Sequence, residues 1–116
     1  MGLILWIDAN TFATSLIEKA FKKKDIPFYT LPSARDFVYL IEDLNPAVLV
    51  LDAQTLLNDL AQVKDQYEKS DGFKGKPVII LESRPGLEFI ANKVGDLLLP
   101  LDPFQVHQQI EKIIKT

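Results

Sequence analysis

Ala47-Val48-Leu49-Val50-Leu51-Asp52 is an aliphatic run that ends in a carboxylate. It has no polar alternation. Such a run marks a central strand of a parallel sheet that is covered by helices on both faces. Ligand and catalytic groups of open α/β sheets lie beyond the carboxyl ends of the strands, so Asp52 is the first residue to question. Two further runs share the plan: Leu3 to Asp8 (LILWID) and Pro77 to Glu82 (PVIILE) also end in acids.

Outward from this strand the chain alternates strands with helical patterns. After Asp8, Asn10 or Thr11 caps a helix that reaches about Lys24, with Ala13, Leu16, Ile17, Ala20 and Phe21 on one face. Lys22, Lys23 and Lys24 close it and suit the helix dipole. Residues 26–31 (IPFYTL) form a second strand, placed at an edge or started at Phe28, because Pro27 cannot donate to a ladder. Ser33 caps a second helix with Phe37, Leu40, Ile41 and Leu44 inward and Tyr39 outward, and Asn45-Pro46 ends it. Residues 54–69 predict a third helix and residues 70–76 (SDGFKGK) a loop. Pro85-Gly86 opens a short fourth helix with Leu87, Ile90, Ala91 and Val94 inward and Phe89 on its outer side; Gly95 stops it. Residues 96–101 (DLLLPL) are the last strand. Asp102 and Pro103 start a final helix whose inner face is Val106, Ile110, Ile113 and Ile114.

Five β-α units with helix-length crossovers impose parallel strands and right-handed connections. The expectation is one domain over residues 1–116. It is a three-layer α/β/α sandwich with a five-stranded parallel sheet, for which 2-1-3-4-5 is a common order. A net charge of −3 and the lack of a basic face argue against direct contact with nucleic acid. The absence of cysteine excludes disulfides, thiolate metal sites and a Cys nucleophile, and fits a cytoplasmic protein. The N-terminus is not a signal peptide, and no apolar run approaches the ~18 residues of a membrane span.

This layout, with acids ending the first and third strands, resembles the receiver domain of two-component response regulators, a (βα)5 flavodoxin-like fold. The similarity spans nearly the whole chain, and the family's phosphoacceptor Asp matches Asp52. Its other functional positions depart. The acid pair after the first strand is Asp8-Ala9, the hydroxyl residue ending the fourth strand is Glu82, and Lys-Pro-Phe after the fifth strand is Asp102-Pro103-Phe104. The family's aromatic switch position is Leu99. Phosphoryl transfer rests on positioning and charge neutralisation. On this alignment Ala9 removes a metal-contacting acid, while Glu82 and Asp102 repel the group that a hydroxyl and a lysine would hold.

The resemblance therefore implies a degenerate receiver, or pseudo-receiver. It would not be an enzyme and would bind other signalling proteins independently of phosphorylation, with Asp52 a vestigial phosphoacceptor. Asp8, Asp52, Glu82 and Asp102 come to neighbouring strand ends, an acidic pocket of up to four carboxylates. Arg84 folds onto Glu82 or Asp52 or stays in solvent, a divalent cation binds, or, the favoured reading, the acids splay apart with Asp102 turned back to cap its own helix. No tightly held cofactor is expected, and Asp8 and Asp52 make at most a weak Mg²⁺ site. Two alternatives stay open: a genuine receiver phosphorylated on Asp52 by a histidine kinase in a phosphorelay, and a small-ligand or cation-binding domain at the acidic end of the sheet. The family's habit of pairing through its fourth helix, fifth strand and fifth helix points to that face, and to Phe89, as a homodimer or partner surface. His107, the lone histidine, has no second ligand at metal spacing.

Overall fold

In the computed structural model, which describes residues 2–115, the aliphatic runs become a single parallel sheet. Its strands are β1 (Ile4–Ile7), β2 (Phe28–Leu31), β3 (Val48–Asp52), β4 (Val78–Leu81) and β5 (Lys93–Leu97), in the order β2-β1-β3-β4-β5. β3 is central: Leu49 stands beside Leu5 of β1 and Val78 of β4. Residues 48–51 are buried because both faces of this strand are covered. β2 is an edge strand, starting one residue after Pro27.

One face of the sheet packs against α1 (Thr11–Lys23) and α6 (Val106–Lys115), through Ile17, Phe21, Val106 and Ile110 on Trp6, Val50 and Ile79. α6 lies so close that a Cβ on Gly95 would come within 2.6 Å of Ile113 Cγ2. The other face is covered by α2 (Phe37–Leu44), α3 (Ala53–Asn58), α4 (Leu60–Lys69) and α5 (Asp71–Gly75), over Leu5, Leu49, Leu51 and Ile80. The three-layer architecture and strand order predicted from the sequence are thus found.

Several local expectations are corrected. The helix read over residues 54–69 breaks at Asp59, whose backbone leaves the helical region (ψ 36°) and whose carboxylate pairs with Arg35 at 3.3 Å. Residues 70–76 are not a loop. Ser70 Oγ accepts the Phe73 N–H at 3.0 Å and caps α5, and Phe73 is fully buried against Phe37 and Tyr67. Leu16, expected inward, is 42% exposed. The last helix begins at Val106, after a turn over residues 102–105, and Ile114 lies largely outside its buried face.

The largest correction concerns residues 82–92, which form turns and no helix. Gly86 has φ +104°, a conformation incompatible with a right-handed helix, and Pro85 has no N–H to donate. β5 accordingly starts at Lys93, three residues earlier than expected, and Val94 sits exposed at a β-bulge. Phe89 is not an outward anchor. It is half-buried, edge-on to Tyr67 with centroids 5.6 Å apart, under the Lys64 ammonium. The face expected to serve as a homodimer surface therefore lacks its helix.

Candidate functional site: a two-carboxylate cleft

β1 and β3 end side by side, so their terminal acids meet at one edge of the sheet. Asp8 is only 6% exposed. Its Oδ1 accepts the Asn10 N–H at 2.9 Å, and its Oδ2 takes a long bond of 3.4 Å from Trp6 Nε1. Burial raises the Asp8 pKa above its ordinary value of 3.8; the Asn10 bond opposes this, the Asp52 charge adds to it, and the Trp6 bond again opposes it. Asn10 in turn caps α1, accepting the Ala13 N–H at 3.1 Å.

Asp52 is the N-cap of α3. Its Oδ2 accepts both the Thr55 N–H (3.1 Å) and the Thr55 hydroxyl (2.8 Å). That hydroxyl also accepts the Ala9 N–H at 3.0 Å, so buried Thr55 ties the end of β1 to the end of β3. The sequence reading missed Thr55. Its signal was a capping-competent Asp with a hydroxyl residue three positions later, directly after a strand.

Both acids line a cleft of about 470 Å³. Its apolar walls include Leu16, Leu99, Leu101 and Pro103. Glu82 and Asp102 are not among the lining residues. Glu82 Oε1 accepts the Leu99 N–H at 2.8 Å, and its own N–H bonds to the Leu97 carbonyl at 2.8 Å. Asp102 turns back on its own segment, its Oδ1 accepting the Phe104 N–H at 2.9 Å. Of the four carboxylates expected at this end of the sheet, Asp8 and Asp52 line the cleft. Beyond β5, which ends at Leu97, the residues that reach the cleft are Leu99, Leu101 and Pro103, not Asp102.

Arg84 pairs with neither Glu82 nor Asp52. Its guanidinium donates to Gln54 Oε1, and Gln54 Nε2 donates to Asn58 Oδ1 at 2.8 Å on the rim. His107 lies away from the cleft lining, 3.2 Å from Glu111 and edge-on to Phe21. None of the ion pairs among the described residues involves Asp8 or Asp52. Among the same residues no three His, Cys, Asp or Glu side chains are grouped to hold a metal, and no helix is long and apolar enough to cross a membrane.

No protein-family model matches the sequence, and no curated protein is similar to it in sequence. Solved structures match the fold. A response regulator from Desulfuromonas acetoxidans has a TM-score of 0.79 at 13% identity, over 99% of this chain and 98% of that one. The receiver domain of a sensor histidine kinase from Pseudomonas aeruginosa, with magnesium coordinated in its active site cleft, gives 0.75 at 15% identity over 100% of both chains. The chemotaxis protein CheY4 of Vibrio cholerae gives 0.75 at 15%, over 97% of this chain and 98% of that one. Identities this low establish the fold alone: the chain has the architecture of response-regulator receiver domains.

Proposed function

We propose that this receiver fold serves as a degenerate signalling domain, one that binds other proteins and does not carry a phosphoryl group on Asp52. The observation that carries this reading is the engagement of Asp52. One of its oxygens is held twice by Thr55 as the cap of α3, and the wall beyond β5 is apolar, made by Leu99, Leu101 and Pro103. A dianionic phosphoryl group here would stand beside the buried Asp8 carboxylate and an isobutyl group, with no cation paired to either acid. Charge neutralisation is most of what a phosphoryl-transfer site provides, and desolvating an unpaired anion costs several kcal/mol.

The residues also fit Mg²⁺ poorly. That ion demands near-octahedral oxygen ligands at about 2 Å. Both oxygens of Asp8 and one of Asp52 already accept hydrogen bonds, and the other side-chain oxygens of the lining are engaged: Asn10 with the Ala13 N–H, Thr55 with Asp52, Asn58 with Gln54 and Gln54 with Arg84. No step of the proposed function runs through a metal.

The test is intact mass after incubation with a small acyl phosphate and Mg²⁺. The expected spectrum is unchanged. A gain of one phosphoryl group, abolished in Asp52→Asn, would make the chain a working phosphoacceptor.

A further inference from the structure

Resting on the reading of the chain as a protein-binding module, we propose that the two-carboxylate cleft receives a lysine or arginine side chain from a partner protein. The anchor's aliphatic stem lies along Leu16, Leu99, Leu101 and Pro103, and its charged head meets Asp8 and Asp52.

Shape and charge argue for this occupant together. The cleft holds about 470 Å³, with two unpaired acids among apolar walls. Lysine and arginine carry a cation at the end of an apolar stem, which matches that gradient. An anion would be repelled by both acids. A hydrated divalent ion matches the two acids but not the leucine and proline walls, which offer its water shell no acceptor. A cation at Asp8 also relieves the burial of its carboxylate and the repulsion from Asp52.

The surroundings of the cleft point to a protein as the source of the cation. Leu16, Leu99 and Phe104 are 42%, 55% and 61% exposed, and Phe12, one turn before Leu16 on α1, is 75% exposed. Clustered exposed apolar side chains mark protein contact surfaces. A smaller groove of about 200 Å³ continues from the cleft through the shared Leu16 and Pro103, bounded by Phe104, Lys19 and Lys23. The outer stripe of α1 therefore runs Phe12, Leu16, Lys19, Lys23, apolar and then cationic. Complementarity assigns the partner segment a basic anchor, then apolar residues, then acids over Lys19 and Lys23.

The experiment pans phage-displayed random peptides on the full chain, then measures the synthetic winners by calorimetry. Enriched peptides are expected to share a lysine or arginine beside apolar residues. Replacing that residue in the peptide by norleucine should weaken binding at least about tenfold, as loss of one side of a desolvated charge pair does. Two variants of the chain should do the same. Asp52→Asn removes the charge and keeps a side chain that caps helices. Leu99→Lys puts an internal ammonium at the mouth, at an exposed position. Both should keep the wild-type circular dichroism spectrum. Tyr39→Ala, 68% exposed and outside both grooves, should bind as wild type.

No enrichment, peptides without a cation, or equal binding to all variants overturns the proposal. So does Mg²⁺ alone binding well below millimolar and failing in Asp52→Asn, which would make the cleft a metal site. Self-association abolished by Leu99→Lys would instead make a second copy the occupant. Cation-free peptides would sink the anchor and spare the protein-binding reading, whereas a phosphoryl mass gain would sink the degenerate reading without altering the peptide result.

Discussion

Two crossovers cover the same face of the sheet by different means. Between β3 and β4 the chain folds into α3, α4 and α5, and backbone groups are satisfied mostly inside helices. Between β4 and β5 it makes turns, closed by backbone bonds from the Ile90 N–H to the Leu87 carbonyl and from the Lys93 N–H to the Ile90 carbonyl, and the side chains of Tyr67 and Asn92 tie them to the first crossover. Tyr67 Oη accepts the Ala91 N–H at 3.0 Å and donates to Asn92 Oδ1 at 2.6 Å. Asn92 Nδ2 donates to the carbonyls of Phe73 (2.6 Å) and Lys76 (2.5 Å). Leu87 and Ile90 are still buried against the sheet. A crossover can thus bury its apolar residues without a helix when its own turn bonds and side-chain bonds to a neighbouring element satisfy its polar groups.

The first crossover should be the harder to damage without consequence. Phe73 is fully buried between Phe37 and Tyr67, so Phe73→Ala is expected to cost about 3–5 kcal/mol in urea unfolding. A loss below about 1 kcal/mol would mean that α5 is peripheral and the contrast false.

The second crossover depends on Asn92. Asn92→Ala leaves two carbonyls and the Tyr67 hydroxyl without that partner, and a cost of about 2–3 kcal/mol is expected. Hydrogen exchange should show Ala91 and Lys93 amides losing protection before the amides of α4. Uniform loss across both crossovers would show that they open as one unit.

The smallest effect should come from Asp8 at the end of β1, which lies outside both crossovers, and pH separates it from them. The Asp8 pKa is raised above 3.8 in the folded chain, so the native state holds this proton more tightly than the unfolded state. Stability from this group is therefore greatest below about pH 3.8 and declines as pH rises through the folded value. Asp8→Asn keeps an oxygen for the Asn10 N–H and removes the charge. Thermal melts should place the variant above wild type at pH 7, with the gain vanishing near pH 3. A variant less stable at pH 7 would show that the charged bonds from Asn10 and Trp6 outweigh desolvation.

How much of this was legible beforehand depends on the range of the forces involved. Strands β1, β3 and β4 and their terminal acids could be read directly, because burial on both faces leaves a local signature of continuous aliphatic residues. Asn10 was readable as a cap for the same reason: its bond to Ala13 spans three residues. The segment from residue 82 to 92 was not. Leu87 and Ile90 are spaced for either a helix or a turn, and the bonds that decide come from residues up to 25 positions away. Phe73 defeated its own loop-like sequence in the same way, since two flanking glycines are a local signal and the aromatic pocket that buries it is not.

The sequence by itself determined the parallel sheet and the acids that end β1 and β3, with 2-1-3-4-5 as one common order. Those follow from side-chain periodicity and from crossovers that can turn only one way. Only the tertiary structure decided what surrounds the two acids. It turned Glu82 toward the Leu99 N–H, brought Thr55 between the strand ends and set Leu99 in the wall. A carboxylate's position along the chain fixes the strand end at which it emerges; its partner is whichever donor the folded backbone leaves within reach.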